Sequence, residues 1–352
     1  MIIRSRAPLR IGFAGGGTDL PSYSNQFGGT VFNATIGMYA YCTIIPTDDN
    51  RIKIYAYDNE NDLDTESVPY LRIDNDYTLI LHKGIYNRIV KDYNNGKPLS
   101  FVMSTSNDAP IGSGLGTSST MVVAILECYN RWLGLGLNDY QKAKLAYEIE
   151  REDLQLAGGK QDHYAAVFGG FNLMEFKTDG SVIVNSLRLD KSRVNELECS
   201  ILLYYCGTSR KSADIQKKLA NNIIKDQVTN TSDKTLITIN AMKNLKQFAY
   251  DMKDYVLVGD FEGFSNCLKE GWENKKKTSS IVSNNELEEI INYALENGAE
   301  SVKVSGAGGG GFLILYCKPI NRQKLIYAME KLSGKIYTAK FSKTGVESWV
   351  IN

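Results

Sequence analysis

Histidine is nearly absent from this 352-residue chain. His82 and His163 are the only two, and neither has a partner at zinc-ligand spacing, so a zinc site is excluded. The six cysteines, at 42, 128, 199, 206, 267 and 317, form no Cys-x-x-Cys pair and read as free thiols of a reducing cytoplasm. No apolar run approaches the length of a bilayer span, and none follows the N-terminal charges. Neither a membrane segment nor a secretory signal is therefore expected. Excess charge is missing too, since 40 Lys+Arg face 40 Asp+Glu. Without a broad basic field, nucleic acid and membrane surfaces are disfavoured as partners.

What remains is an ordinary globular composition, 43% hydrophobic and 23% charged, long enough for two domains. No internal repeat is visible. Strands are expected at 31–45, 51–57, 99–104, Phe171–Phe176 and Val182–Leu187, with helices at 79–93, 118–132 and 139–156. The polar run 190–198 precedes a new apolar strand, Ile201–Tyr205, and suggests domains of residues 1–190 and 191–352. The second half reads as helices at about 212–226, 235–256, 261–273, 285–297 and 319–332. Its strands fall at Ser301–Val304, Phe312–Tyr316, 335–341 and 347–350. The mixture predicts an α+β protein with a cleft between its domains.

Three glycine-rich clusters carry the chemical information. Pro110-Ile111-Gly112-Ser113-Gly114-Leu115-Gly116-Thr117-Ser118-Ser119 follows a strand and opens an apolar helix. Bare backbone and a helix dipole favour an anion there, and the hydroxyls can cap the helix, bind phosphate or coordinate Mg²⁺. A purely structural turn is the alternative. The P-loop G-x-x-x-x-G-K-[ST] is absent, and glycines at 112, 114 and 116 do not fit G-x-G-x-x-G. Any nucleotide is held by another device. Gly15-Gly16-Gly17-Thr18-Asp19 and Ser305-Gly306-Ala307-Gly308-Gly309-Gly310-Gly311-Phe312 complete the set, the latter richer in glycine than a hairpin needs.

In this order, the motifs Ala7-Pro8-Leu9-Arg10…Gly15–Asp19, 110–119 and 305–312 resemble those of the GHMP small-molecule kinases. The resemblance spans almost the whole chain. It implies an N-terminal domain like the second domain of ribosomal protein S5, a ferredoxin-like C-terminal domain, and ATP with Mg²⁺ in the cleft. Residues 110–119 match the nucleotide loop: Pro110, Gly112, Ser113, Gly114, Leu115, Gly116, Thr117, Ser118 and Ser119. Ser118 matches the metal-ligand serine. Glu150, twelve residues before Asp162, matches the metal-ligand glutamate, although a solvated helix face is the plainer reading. Asp162 matches the residue that receives or orients the substrate hydroxyl proton, and Arg10 the basic residue facing it. Phosphoryl transfer asks mainly for positioning and charge stabilisation, and an arginine keeps a neighbouring carboxylate anionic.

Galactokinase-like members read Gly-Glu-His-Thr-Asp where this chain has Gly15-Gly16-Gly17-Thr18-Asp19. Two gripping side chains are missing, which suits a larger or phosphorylated sugar. The first motif and Gly158-Gly159-Lys160-Gln161-Asp162 are most similar to kinases acting on the anomeric oxygen of D-glycero-D-manno-heptose 7-phosphate in bacterial surface-glycan synthesis. Other sugar 1-kinases of the fucokinase or galactokinase type, and a non-catalytic nucleotide sensor, stay open. The expected substrate contacts are Gly15, Gly16, Gly17, Thr18, Asp19, Lys160, Gly308 and Gly309. A distal phosphate would fall to Arg210 and Lys211 at a helix start, to Lys160, or least of all to the run Lys275-Lys276-Lys277. His163 stands where relatives commonly have Gln. The implied partner is a small-molecule sugar phosphate, with a homo-oligomer left open.

Overall fold

In the computed structural model, which describes residues 1–58, 60–73, 78–207, 219 and 233–352, the chain builds two sheets. The first half contributes β1 (Ile2–Ala14), β2 (Gly29–Pro46), β3 (Arg51–Ala56), β4 (Asn61–Glu66), β5 (Phe101–Asn107), β6 (Phe171–Phe176) and β7 (Val182–Leu187). The second contributes β8 (Ile201–Tyr205), β9 (Ser301–Val304), β10 (Phe312–Tyr316), β11 (Lys335–Thr338) and β12 (Glu347–Ile351). The helices are α1 (Pro21–Phe27), α2 (Ile80–Tyr93), α3 (Thr117–Leu133), α4 (Asp139–Tyr147), α5 (Gln161–Phe168), α6 (Lys191–Ser200), α7 (Asp233–Val258), α8 (Phe261–Thr278), α9 (Asn285–Glu296) and α10 (Arg322–Met329).

The large sheet runs β12-β1-β2-β5-β3-β4, with β6 also on β2 and β7 on β6. Long β2 makes this possible. Its first residues pair with β6 and its last with β5, while β1 follows it along most of its length. The β1–β2 register shifts between Pro8 and Arg10 and again between Gly12 and Ala14, bends that re-aim side chains beside the site. The small sheet runs β11-β8-β10-β9, all antiparallel. In chain order that is 4-1-3-2, the ferredoxin-like arrangement.

The polar run 190–198, the candidate domain boundary, lies mostly within α6, and the last strand pairs with Ile2–Arg6 of the large sheet. Helix 139–156 is not uniform either: α4 ends at Tyr147 and Glu148–Asp153 continues with the wider π-type turn. The segment from 212 to 226 lies outside the described residues, apart from Leu219.

Two cores flank the large sheet. One packs Ile3, Ile44, Phe101 and Met103 against Tyr86, Ile125 and Tyr129 of α2 and α3. The other joins the sheets: Leu9, Ile11 and Phe13 of β1 meet Leu203, Phe312 and Ile314, with Ala249 and Phe264 from α7 and α8. The rings of Phe13 and Phe264 meet edge to face at 5.3 Å. A third core, including Leu202, Leu313, Ile291 and Leu325, lies beneath the small sheet's outer face. The cleft therefore has a rigid floor shared by both halves.

The turn before β12 is locked to the end of α5 backbone to backbone. A methyl group on Gly345 would overlap Val167 O, and one on Gly169 would overlap the Thr344–Gly345 peptide. Gly345→Ala should therefore cost roughly 1–3 kcal/mol of stability, the range of overpacking, because backbone cannot rotate out of the way. Urea denaturation measures it. A cost within experimental error would mean that this turn yields freely.

Candidate active site

β1 delivers Arg10 to the centre of the cleft. Its neighbours Leu9 and Ile11 lie in the core, so strand alternation turns Arg10 the other way. Only 4% exposed, it donates from Nε to Asp162 Oδ1 at 2.7 Å and from Nη1 to Gly114 O at 2.6 Å. Asp162 stands in the first turn of α5 with its side chain 17% exposed. Its Oδ2 accepts no hydrogen bond among the described residues. One carboxylate oxygen is thus fixed and the other is left for a ligand.

The loop 110–116 alternates in exposure. Gly112, Gly114, Gly116 and Ser118 are half-buried and face outward, while Ser113, Leu115, Thr117 and Ser119 are buried. The buried set anchors the loop. Ser113 O accepts Phe312 N at 2.9 Å, Leu115 enters the joint core, and Ser305 Oγ donates to Gly114 O at 2.9 Å. A side chain on Gly114 would overlap Ser305 O, which explains part of both glycine clusters by close approach rather than by ligand binding. Helix α3 then begins with no side-chain cap, Gly116 lying in the left-handed region at φ 79°. Its first amides have no intrahelical acceptor and point out at the helix's positive end, a site for an anion.

Glu150 sits directly behind that helix start, 1% exposed, on the π-type turn. Its Oε1 accepts Ser118 Oγ at 2.6 Å, and its Oε2 accepts Ser119 Oγ at 2.7 Å and His163 Nε2 at 2.6 Å. Arg151 approaches Oε1 at 3.3 Å and donates to Ser119 Oγ and Ala157 O. Burial alone would raise the Glu150 pKa. The Arg151 charge, the His163 hydrogen bond and the Ser118 hydroxyl outweigh it and hold the carboxyl well below the usual range. The carboxylate and Ser118 hydroxyl form a hard, anionic oxygen pair, the donor chemistry Mg²⁺ takes when phosphates supply the remaining ligands. Among the described residues no group of three or more His, Cys, Asp or Glu gathers elsewhere as a metal site.

Two cavities lie near this loop. One, about 210 Å³, is lined by Leu79, Ile80, His82, Ile111, Met121 and Leu156, with Thr117 and Ser118 at its edge. Sequence reading missed it, because its wall is assembled from five separate segments. The second is lined by Arg10, Gly17, Asp19, Gly159, Asp162, Lys275, Gly306 and others. Asp19 is positioned there by Gly17 N at 3.0 Å and by Gln161, whose backbone N and Nε2 reach it at 3.1 and 3.2 Å.

Several expected contacts serve other ends. Thr18 Oγ1 donates to Gly15 O and Thr30 O and accepts Thr30 N, so these residues knit the turn to β2. Lys160 does not line the cavity: its Nζ donates to Gly180 O at 2.9 Å and lies 5.5 Å from the Tyr147 ring centre. Gly308 and Gly309 pack on Val282, leaving Gly306 and Ala307 at the cavity wall. Gly16 O accepts Lys275 Nζ at 2.8 Å, and Lys275 joins Arg10 in lining the cavity. Arg210 and Lys211 lie outside the described residues. Arg151, Gln161, His163 and Lys303 were not assigned site roles from the sequence.

The Glu150 cluster makes a signed prediction. Its depressed pKa contributes stability above the ordinary value of 4.5, where the unfolded carboxyl is also ionised, and loses it as pH falls further. Glu150→Gln should cost about 3 kcal/mol at neutral pH by leaving Arg151 without its charge partner. Urea denaturation at descending pH should show the gap from wild type closing below pH 4.5. A gap that stays constant would mean the buried carboxyl is not ionised.

The model for the GHMP kinases N terminal domain matches residues 81–170, and that for GHMP kinases C terminal matches residues 241–333. The chain is 44% identical over 349 residues to D-glycero-alpha-D-manno-heptose 7-phosphate kinase of Campylobacter jejuni subsp. jejuni, covering 99% of each. It is similar to a solved D-glycero-D-manno-heptose 1-phosphate kinase from Bacteroides thetaiotaomicron at TM-score 0.83 and 43% identity, covering 99% of each. The fold extends further, to Lactococcus lactis galactokinase at TM-score 0.75 and 16% identity, covering 98% of this chain and 95% of that one. With both family domains matched in order and close relatives aligned end to end, this chain belongs to the GHMP kinases and is a sugar kinase, a phosphotransferase.

Proposed function

We propose that the protein transfers the terminal phosphoryl group of ATP to the anomeric hydroxyl of D-glycero-D-manno-heptose 7-phosphate, giving the 1,7-bisphosphate. The observation that carries this reading is the Arg10–Asp162 pair lining one cavity, with a second, largely apolar cavity bordered by Ile111, Thr117 and Ser118, in a chain 44% identical to a heptose 7-phosphate kinase. The apolar cavity takes the adenosine, and the exposed face of the loop with the first amides of α3 takes the phosphates. Ser118 and Glu150 would hold Mg²⁺, which when bound neutralises phosphate charge.

The sugar side follows from the same geometry. Asp162 Oδ2 accepts the hydrogen bond of the attacking hydroxyl while Arg10 fixes Oδ1 and, through Gly114 O, the loop opposite. A carboxylate is a weak base, which suits an anomeric hydroxyl better than an ordinary alcohol because the former is more acidic. Asp19, anchored by Gln161, accepts a further sugar hydroxyl. Proximity supplies the rest of the rate, so the site needs rigid placement more than strong acid–base groups.

Two measurements test this. ADP release should be fast with heptose 7-phosphate and slow with heptose 1-phosphate, fucose and galactose; a preference for one of the latter three would assign the substrate elsewhere. Asp162→Asn should lower kcat by roughly 10²–10⁴-fold, the range for a positioned proton acceptor, with the melting temperature little changed. Near-normal turnover in a folded Asp162→Asn protein would remove that residue from the centre.

A further inference from the structure

Lys275 is a residue on this side of the cleft whose surroundings do not match its charge. It lies on the buried face of α8 and is only 5% exposed, yet it lines the sugar-side cavity. Its Nζ donates to a neutral acceptor, Gly16 O at 2.8 Å, and no carboxylate pairs with it among the described residues. Burial pushes its pKa down to about 8, against the weaker pull of Asp19. Beneath it, Lys303 Nζ donates to Gly12 O at 2.9 Å and Phe13 O at 2.6 Å. Burial and the Lys275 charge push Lys303 down to about 7. Lys275, Lys303 and Arg10 line one adjoining cavity.

The charges of the two cavities do not balance. Among the described residues, three basic side chains, Arg10, Lys275 and the partly protonated Lys303, stand against two carboxylates, Asp19 and Asp162. Arg10 is matched by Asp162, and Asp19 is occupied by the neutral donors of Gly17 and Gln161. Both ammonium groups are left to backbone carbonyls. A buried cation with no carboxylate in direct contact is costly, and the site recovers that cost when an anion enters. Gly17 makes the room: a methyl group there would lie 2.9 Å from Lys275 Nζ, so the amine occupies the space that any larger residue would take.

We propose that Lys275 receives the phosphate that the sugar substrate already carries, with Lys303 behind it reinforcing the positive potential. The inference rests on the substrate reading above and adds to it the residue that selects a phosphorylated sugar over a free one. Lysine serves phosphate as a point charge with donors free to reorient, and Lys275 has N–H groups beyond the one spent on Gly16 O.

Lys275→Met keeps the length and apolar character of the stem and removes the charge, and a buried lysine replaced in this way should leave the melting temperature level or higher. Steady-state kinetics with ATP on heptose 7-phosphate and on unphosphorylated heptose gives the ratio of the two kcat/KM values. That ratio should fall roughly 10- to 100-fold in Lys275→Met, the worth of one charged hydrogen bond, chiefly through KM. A ratio equal to wild type, whatever the absolute rates, overturns the assignment, because a general defect of the Gly16 turn harms both substrates alike. Should wild type itself prefer the free sugar, the substrate reading fails, and calorimetric titration with inorganic phosphate decides the anion site separately. Binding to wild type that is lost in Lys275→Met upholds the site; equal binding, or none, overturns it.

Discussion

The cleft is organised around one guanidinium. Arg10 comes from a strand of the joint core, and its two side-chain hydrogen bonds, to Asp162 and Gly114 O, tie the first turn of α5 to the glycine loop. Its backbone N also donates to Leu115 O at 3.1 Å. Three segments far apart in sequence are thereby held at fixed spacing, and arginine alone combines permanent charge with a fork able to do this. The 305–312 loop closes the arrangement from the other half, through Ser305 Oγ on Gly114 O and Phe312 N on Ser113 O. Disturbing the guanidinium disturbs nucleotide loop and sugar side together.

Around that centre, charge is distributed by burial. On the nucleotide side the buried carboxylate of Glu150 is oversupplied with donors, which keeps it anionic. On the sugar side the buried ammonium groups of Lys275 and Lys303 are undersupplied with acceptors, and their pKa values fall. One side is therefore prepared for a cation and the other for an anion. A kinase for a phosphorylated sugar needs both, because its two substrates are each polyanions that meet at one point.

Much of this was legible in the sequence, and the exceptions share a cause. Strands Phe171–Phe176, Val182–Leu187, Ile201–Tyr205, Ser301–Val304 and Phe312–Tyr316 fall where the pattern put them, because apolar β-branched and aromatic runs report burial locally. The structure pairs Arg10 with Asp162 and Ser118 with Glu150, residues that the motifs had singled out. What the sequence hid is long-range. The triplet Lys275-Lys276-Lys277 ranks last among the phosphate candidates by sequence, yet the helical period puts Lys275 with Gly271, Trp272 and Thr278 on the buried face and leaves Lys277 exposed. Lys160, next to the catalytic motif in sequence, turns away to Gly180. His163 carries no assigned role in the sequence because nothing local announces its contact with Glu150.

The central claim is that the Arg10–Asp162 pair directs phosphoryl transfer to the anomeric oxygen. Phosphorus NMR of the product formed from ATP and heptose 7-phosphate tests it most directly. The account predicts a new phosphorus resonance coupled to the anomeric proton, beside the unchanged signal of the original phosphate. A new phosphate coupled to any other sugar proton, or no new sugar phosphate at all, would contradict it.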